Sequence, residues 1–264
     1  MLPAFDLRFA SSVKECPQLL DENWFIVAGG SEMVPAMRIG ALAPDGLVDI
    51  NQCDEMRVVT KVDACLEIGG LVTHSEVTHS DMVKRYAPLL GETCLNVGNA
   101  RVRSTGTVGG NLCFAEPRSD LSTVFCALGA SVVLVGPSGE REISVSDFVI
   151  GAFATAIGER ELLVKVRVPL PVADVKYWKF TFGERPTVGI AYSIRENEIH
   201  LVIGAATEAP TSSKFSMGSI DDIVRWVEGL EIGADITGKA DYKRWLIIEK
   251  VREIMEASLW QSAN

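Results

Sequence analysis

The stretch "TGTVGGNL" at residues 105–112 places three glycines and two threonines between "RVRS" and "EPRSD". Glycine allows φ > 0 and lets another backbone or a ligand approach where a Cβ would obstruct it. A second bare segment, "VAGGSEMV" at 27–34, follows the apolar run "WFIV" and raises the same question nearer the N-terminus. Backbone N–H groups without a Cβ in the way can cradle phosphate oxygens, and Thr105, Thr107 and Asn111 add hydroxyls and an amide. One such loop marks an ordinary turn as readily as a binding segment. Two in one region point to a diphosphate held from two sides. Neither fits G-x-x-x-x-G-K-[ST], and no G-x-G-x-x-G stands at a strand–helix junction, which sets aside a P-loop ATPase and a dinucleotide Rossmann site.

Around these segments the apolar pattern alternates between short strands and helices. "WFIVAGG" (24–30), "GLVDI" (46–50) and "CLEIGGLVT" (65–73) read as strands, the first and third broken by glycine. Thr73 or Ser75 is placed to cap one helix running through "EVTHSDMVKRYAPLL". "SDLSTVFCALGA" (119–130) reads as a helix. "SVVLVGPSGEREISV" (131–145) reads as a hairpin about Gly-Pro-Ser-Gly, and "ELLVKVRVPLP" (161–171) as a further strand. Beyond the proline pair of "PLPVADV" the texture changes. "YWKFTF", "VGIAYSI" and "IHLVIGAAT" form a meander, followed by helices in "SIDDIVRWVEGL" and "YKRWLIIEKVREIMEAS", whose apolar residues recur near every 3.6. A boundary near residue 172 follows.

The chain has 264 residues and a net charge of −10. That size supplies a substantial core, and the acidity argues against a nucleic-acid binder, which shows a basic stripe. No apolar run approaches the roughly 20 residues that span a bilayer, and "MLPAFDLRFASS" lacks the apolar centre of a signal peptide; a cytoplasmic location is expected. The six cysteines, at 16, 53, 65, 94, 113 and 126, include no C-x-x-C pair, the tight spacing that zinc and iron–sulfur sites normally use. They are expected to be free and mostly buried, with no metal site on this chain. The three histidines, His74, His79 and His200, are too few and too scattered for a triad.

Taken in order, "VAGGSEMVPAMRIG", "LVTHSEVTHS", "NARVRSTGTVGGNL", "EPRSDLSTVFCALGASVVLVGPSGEREISVSDFVIG", "GERELLVKVRVP", "YWKFTFGERPTVGIA" and "ADYKRWLIIEKVREIMEAS" resemble the FAD-binding (medium) subunit of the molybdenum hydroxylases, the xanthine dehydrogenase and carbon monoxide dehydrogenase family. The likeness runs through nearly the whole chain. It implies an α+β fold: a two-subdomain α/β FAD-binding domain of the PCMH type at 1–172, split near residue 55, then a C-terminal domain at 173–264 with a three-stranded antiparallel sheet and helices.

The resemblance also implies site residues. Val27, Ala28, Gly29, Gly30, Ser31, Glu32, Met33 and Val34 would wrap FAD, with Gly29 and Gly30 close to its pyrophosphate. Val102, Thr107, Val108, Gly109, Gly110 and Asn111 would form the opposing wall. Ser119 and Asp120 would lie near the ribityl and phosphate groups, although either residue could instead cap the following helix. Leu163 would sit beside the isoalloxazine, or be plain strand core. Lys179 would be a cation near the flavin. No catalytic side chain is required, because the flavin itself does the chemistry. Molybdopterin and [2Fe–2S] clusters would reside on a large and a small partner subunit, and NAD is the default external acceptor. The same residues also admit a stand-alone flavin reductase of the wider fold, or a binding and assembly protein that has lost its flavin.

Overall fold

The computed structural model describes residues 2–183 and 185–262, with side chains to 258. The chain opens with β1 (Asp6–Phe9), α1 (Cys16–Leu19), β2 (Trp24–Val27), α2 (Met33–Arg38) and β3 (Gly46–Asp49). The three strands form a parallel sheet in the order β1-β3-β2. Val48 and Ile50 meet Cys16, Leu20, Cys53, Met56 and Leu162 in a small apolar core.

The second sheet begins with β4 (Val59–Val62) and β5 (Cys65–Gly69). A helical run follows: α3 (His74–His79), α4 (Asp81–Tyr86), α5 (Pro88–Leu95), α6 (Ala100–Thr105), α7 (Val108–Phe114) and α8 (Asp120–Ala127). The chain then returns through β6 (Ser131–Gly136), β7 (Gly139–Ser144), α9 (Val145–Phe148), the small β8 (Val149–Gly151) and β9 (Ala154–Thr155) pair, and β10 (Leu162–Pro169). The sheet is antiparallel in the order β4-β5-β10-β6-β7. The single helix expected through "EVTHSDMVKRYAPLL" is three. Thr73 opens α3 in a capping box with Glu76, Ser80 ends α3 and caps α4 through the Val83 N–H, and Pro88 opens α5. Each polar cap offers the backbone an exit from the helix, and proline is best tolerated at a helix start.

The third sheet comprises β11 (Val175–Phe182), β12 (Arg185–Arg195), β13 (Glu198–Gly204) and β14 (Thr211–Ser216), antiparallel in that order. The expected sheet of three strands therefore has a fourth. β14 reads "TSSKFS", with Phe215 its one apolar residue, so this edge strand gives almost no apolar alternation to detect. Between Phe180 and Thr181 the register of β11 against β12 slips, leaving Thr187 as the extra residue, the geometry of a β-bulge. One face of the sheet packs on α10 (Ile220–Glu228) and α11 (Ala240–Ser262) through Val188, Ile190, Ile223, Ile247 and Val251. From the other face, Ala191 and Val202 join the core that holds Leu66, Val124, Phe125 and Val166. Among the described residues, no helix is long and apolar enough to cross a membrane.

Lys243 of α11 is almost fully buried, and its Nζ lies 2.8 Å from Asp235 Oδ2 in the preceding loop. Burial alone would raise the Asp235 pKa; the hydrogen bonds from Lys243 and Thr237 outweigh it and bring the carboxyl down to about 2. A lowered carboxyl pKa stabilises the fold above the usual carboxylate range, and this contribution is lost as pH falls through about 2. Asp235 is exposed, so water screens the pair, and Asp235→Asn is expected to cost about 1 kcal/mol near neutral pH and to converge with the wild type at the acid limit. Urea unfolding across the pH range measures both.

Candidate functional site

The first bare segment leaves the end of β2, turns at Gly30, whose φ is +63°, and enters α2. Residues 27–34 are all half-buried. A Cβ on Gly29 would stand 1.6 Å from the Thr105 carbonyl oxygen, so the first segment lies directly against the second. Val34 N–H donates to the Gly30 carbonyl. The N–H groups of Gly29, Gly30, Ser31, Glu32 and Met33 make no hydrogen bond to any described residue. Successive unpaired N–H donors in a turn form an anion-binding concavity.

The second segment differs from the open glycine loop expected of it. Gly106 ends α6, and Thr107 starts α7 as its N-cap, its Oγ1 accepting the Gly110 N–H at 3.0 Å. Val108 N–H donates to Val72 O and Gly109 N–H to Gly70 O, each at 2.9 Å. These donors are therefore engaged within the protein. Gly109 is bare for a packing reason, since a Cβ there would lie 2.8 Å from the Gly70 carbonyl oxygen. Thr107 and Val108 are buried, as is Gly109, whereas Gly110 is exposed and Asn111 half-buried. Ser119 Oγ donates to Asn111 Oδ1 at 2.7 Å, and Asn111 Nδ2 makes no hydrogen bond to a described residue. Val102 is half-buried on α6. Arg103 reaches the Val97 and Gly98 carbonyls, both at 3.1 Å, and so is held by backbone. Behind Gly106 lies His74, buried, with its pKa lowered to about 4 by burial, hence neutral at pH 7.

Asp120 opens α8 but neither it nor Ser119 caps the helix with its side chain. The buried carboxylate instead accepts from Tyr177 Oη and, at 2.7 Å, from Lys179 Nζ, both on β11. Burial, the largest cause, and the Asp120 charge push the Tyr177 phenol up, keeping it protonated as the donor. Asp120 thus ties α8 to the third sheet, and the Lys179 charge is balanced. Leu163 is buried on β10 in the large core, with its carbonyl oxygen 2.6 Å from where a Cβ of Gly70 would stand.

Residues the sequence reading did not single out complete the surroundings. Arg185, at the start of β12, contacts Glu32 of the first segment at 2.7 Å and Glu116 at 2.9 Å. Glu116 also meets Arg118 at 3.4 Å. Arg185 is 153 positions from Glu32, and no local pattern marks such a pair. All six cysteines are free, and burial pushes the thiols of Cys16, Cys94, Cys113 and Cys126 up to about 12.

Comparison with known proteins gives this geometry a family. Residues 3–171 match the family described as the FAD binding domain in molybdopterin dehydrogenase. The chain is 32% identical over 170 residues to the glyceraldehyde dehydrogenase medium chain of Sulfolobus acidocaldarius, covering 64% of this chain and 60% of that one. It is 27% identical to the carbon monoxide dehydrogenase medium chain of Hydrogenophaga pseudoflava, covering 97% of each. A solved structure of the Hydrogenophaga pseudoflava carbon monoxide dehydrogenase lacking the Mo-pyranopterin moiety of its cofactor superposes with a TM-score of 0.88 at 25% identity, covering 96% of each chain. The chain belongs to the FAD-binding medium subunits of the molybdenum hydroxylases, oxidoreductase subunits whose cofactor is FAD.

Proposed function

We propose that Gly29–Met33 holds the diphosphate of FAD, and that this chain is the electron-transfer subunit between [2Fe–2S] clusters on a small partner and an external acceptor such as NAD. A large molybdopterin-binding subunit would supply the electrons and choose the substrate. The observation that carries this reading is the run of unpaired N–H groups at Gly29–Met33, in a segment whose Gly29 lies against Thr105 of the second segment, where Gly110 is bare and exposed. A Cβ on Gly110 would stand 2.9 Å from Thr107 Oγ1, the cap of α7, and would meet nothing else within 4 Å, so beyond that cap the position is open. These residues fit a diphosphate, with free donors on the first segment and a bare, exposed position on the second.

The residues carried over from the family take separate roles in this reading. Val27–Val34 would wrap the cofactor. Gly110 and the free Asn111 amide would face it from the second segment, with Val102 alongside, while Thr107, Val108 and Gly109 hold that segment in place. Ser119 would orient Asn111, and Asp120 would hold Lys179 and Tyr177 on β11 rather than meet the cofactor itself. With its charge balanced by Asp120, Lys179 would favour a negatively charged ring less than a lone cation would. Leu163 would back the site from the core. Division at residue 172, with a split near 55 in the first part, places the binding segments in 1–172 and Lys179 and Arg185 beyond it. Bound FAD accepts electrons singly or in pairs and passes them to an acceptor; the chain's residues bind and orient it.

Two measurements test this reading. Gly110→Val is expected to abolish FAD retention, because the side chain enters the cofactor's space, with a small loss of stability from the Thr107 cap that its Cβ would crowd. Absorbance of flavin released on denaturation, together with circular dichroism, checks both; full flavin in that variant would remove Gly110 from the site. The second is Asp120→Ala, which leaves Tyr177 and Lys179 without their acceptor. It is expected to lower stability by about 1–3 kcal/mol and to weaken FAD binding as β11 loses its tie to α8. Unfolding titrations with and without FAD separate the two effects.

A further inference from the structure

Glu32 lies within the run of N–H groups assigned to the diphosphate. A carboxylate there repels the anion those groups attract. The structure supplies a counter-charge from elsewhere in the chain: Arg185 Nη2 lies 2.7 Å from Glu32 Oε1, and Arg185 Nη1 lies 2.9 Å from Glu116 Oε2. We propose that Arg185 is a positioning residue that neutralises Glu32 and holds it, so that an acidic first segment accepts an anionic diphosphate. This rests on the reading of Gly29–Met33 given above.

The charge balance supports this role. Glu32, Arg185, Glu116 and Arg118 form one chain of contacts with two carboxylates and two guanidiniums, and its net charge is zero. Removing Arg185 leaves one negative charge uncompensated beside the diphosphate. Two other cations of the region are already engaged, Arg103 by the Val97 and Gly98 carbonyls and Lys179 by Asp120. The Glu32 and Arg185 side chains are each 36% exposed. An ion pair that open to water adds little to folding stability. Its consequence is felt where an anion binds.

The full chain, freed of flavin and titrated with FAD by fluorescence quenching, tests the role in the wild type, Arg185→Ala, Glu32→Gln and the double variant. Arg185→Ala is expected to raise Kd on the order of tenfold, with the melting temperature of the flavin-free chain little changed. In the Glu32→Gln background the same replacement is expected to raise Kd clearly less than in the wild type, because the carboxylate within the diphosphate segment is gone and Arg118 still faces Glu116. The Arg185→Ala defect is also expected to shrink as salt rises from about 50 to about 500 mM, where screening shortens the reach of the charge. An equal loss with and without Glu32, insensitive to salt, would overturn the proposal and make Arg185 a direct contact or a structural prop. If the wild type binds FAD and Gly110→Val does not, while Arg185→Ala binds normally, only the role of Arg185 falls. A folded wild type that takes up no FAD would overturn the reading of Gly29–Met33, and this proposal with it.

Discussion

Two close approaches of backbone to backbone set the geometry on which the rest depends. Gly109 packs on Gly70, and Gly29 packs on the Thr105 carbonyl, each at a distance that admits no Cβ. The first contact seats α7 against the turn after β5, where Gly70 N–H also bonds Val164 O of β10. The second brings the end of β2 against the junction of α6 and α7. Two sheets that share no ladder are thereby joined through their turns. Glycine is required at both points for steric reasons alone.

The glycines of the two segments therefore do different work. Gly29 and Gly109 join the segments to their supports. Gly30 supplies a left-handed turn at φ +63°, after which donors remain unpaired. Gly110 keeps a surface clear. A helix start can itself bind anions through free N–H groups, but the first turn of α7 is already satisfied by Val72, Gly70 and Thr107. Donor capacity lies with the first segment, and the second contributes shape and the Asn111 amide. Around them, Asp120 and Arg185 connect the third sheet to the same region through ions of opposite sign.

Much of the fold was legible in the sequence because it rests on strong local patterns. The β6–β7 hairpin, β10, α8 and α11 follow from apolar periodicity and turn residues, and the change of texture near residue 172 marks the start of the third sheet. The rest was hidden where local signal is weak. β14 has a single apolar residue, and the short helices after β5 are divided by caps that a longer apolar pattern masks. In the site, the bareness of both segments was visible, but which N–H groups are free was not. That depends on Val72 and Gly70, which meet α7 only once the chain has folded. Tyr177 and Arg185 were invisible for the same reason: each acts on a partner far away in sequence.

The core that runs from Leu66 and Val124 to Ala191 and Val202 has a consequence for how such a chain can change over time. Residues that match the FAD-binding family end at 171, yet the apolar surface of α8 is completed by β12 and β13, with Gly204 pressed against Thr123. A break at 171 would divide one hydrophobic interior and leave the buried Asp120 carboxylate without either donor. The boundary that family resemblance draws is thus not a seam along which the protein comes apart. Recombination between relatives at that point would have to bring matched halves, so the two parts are expected to be inherited together.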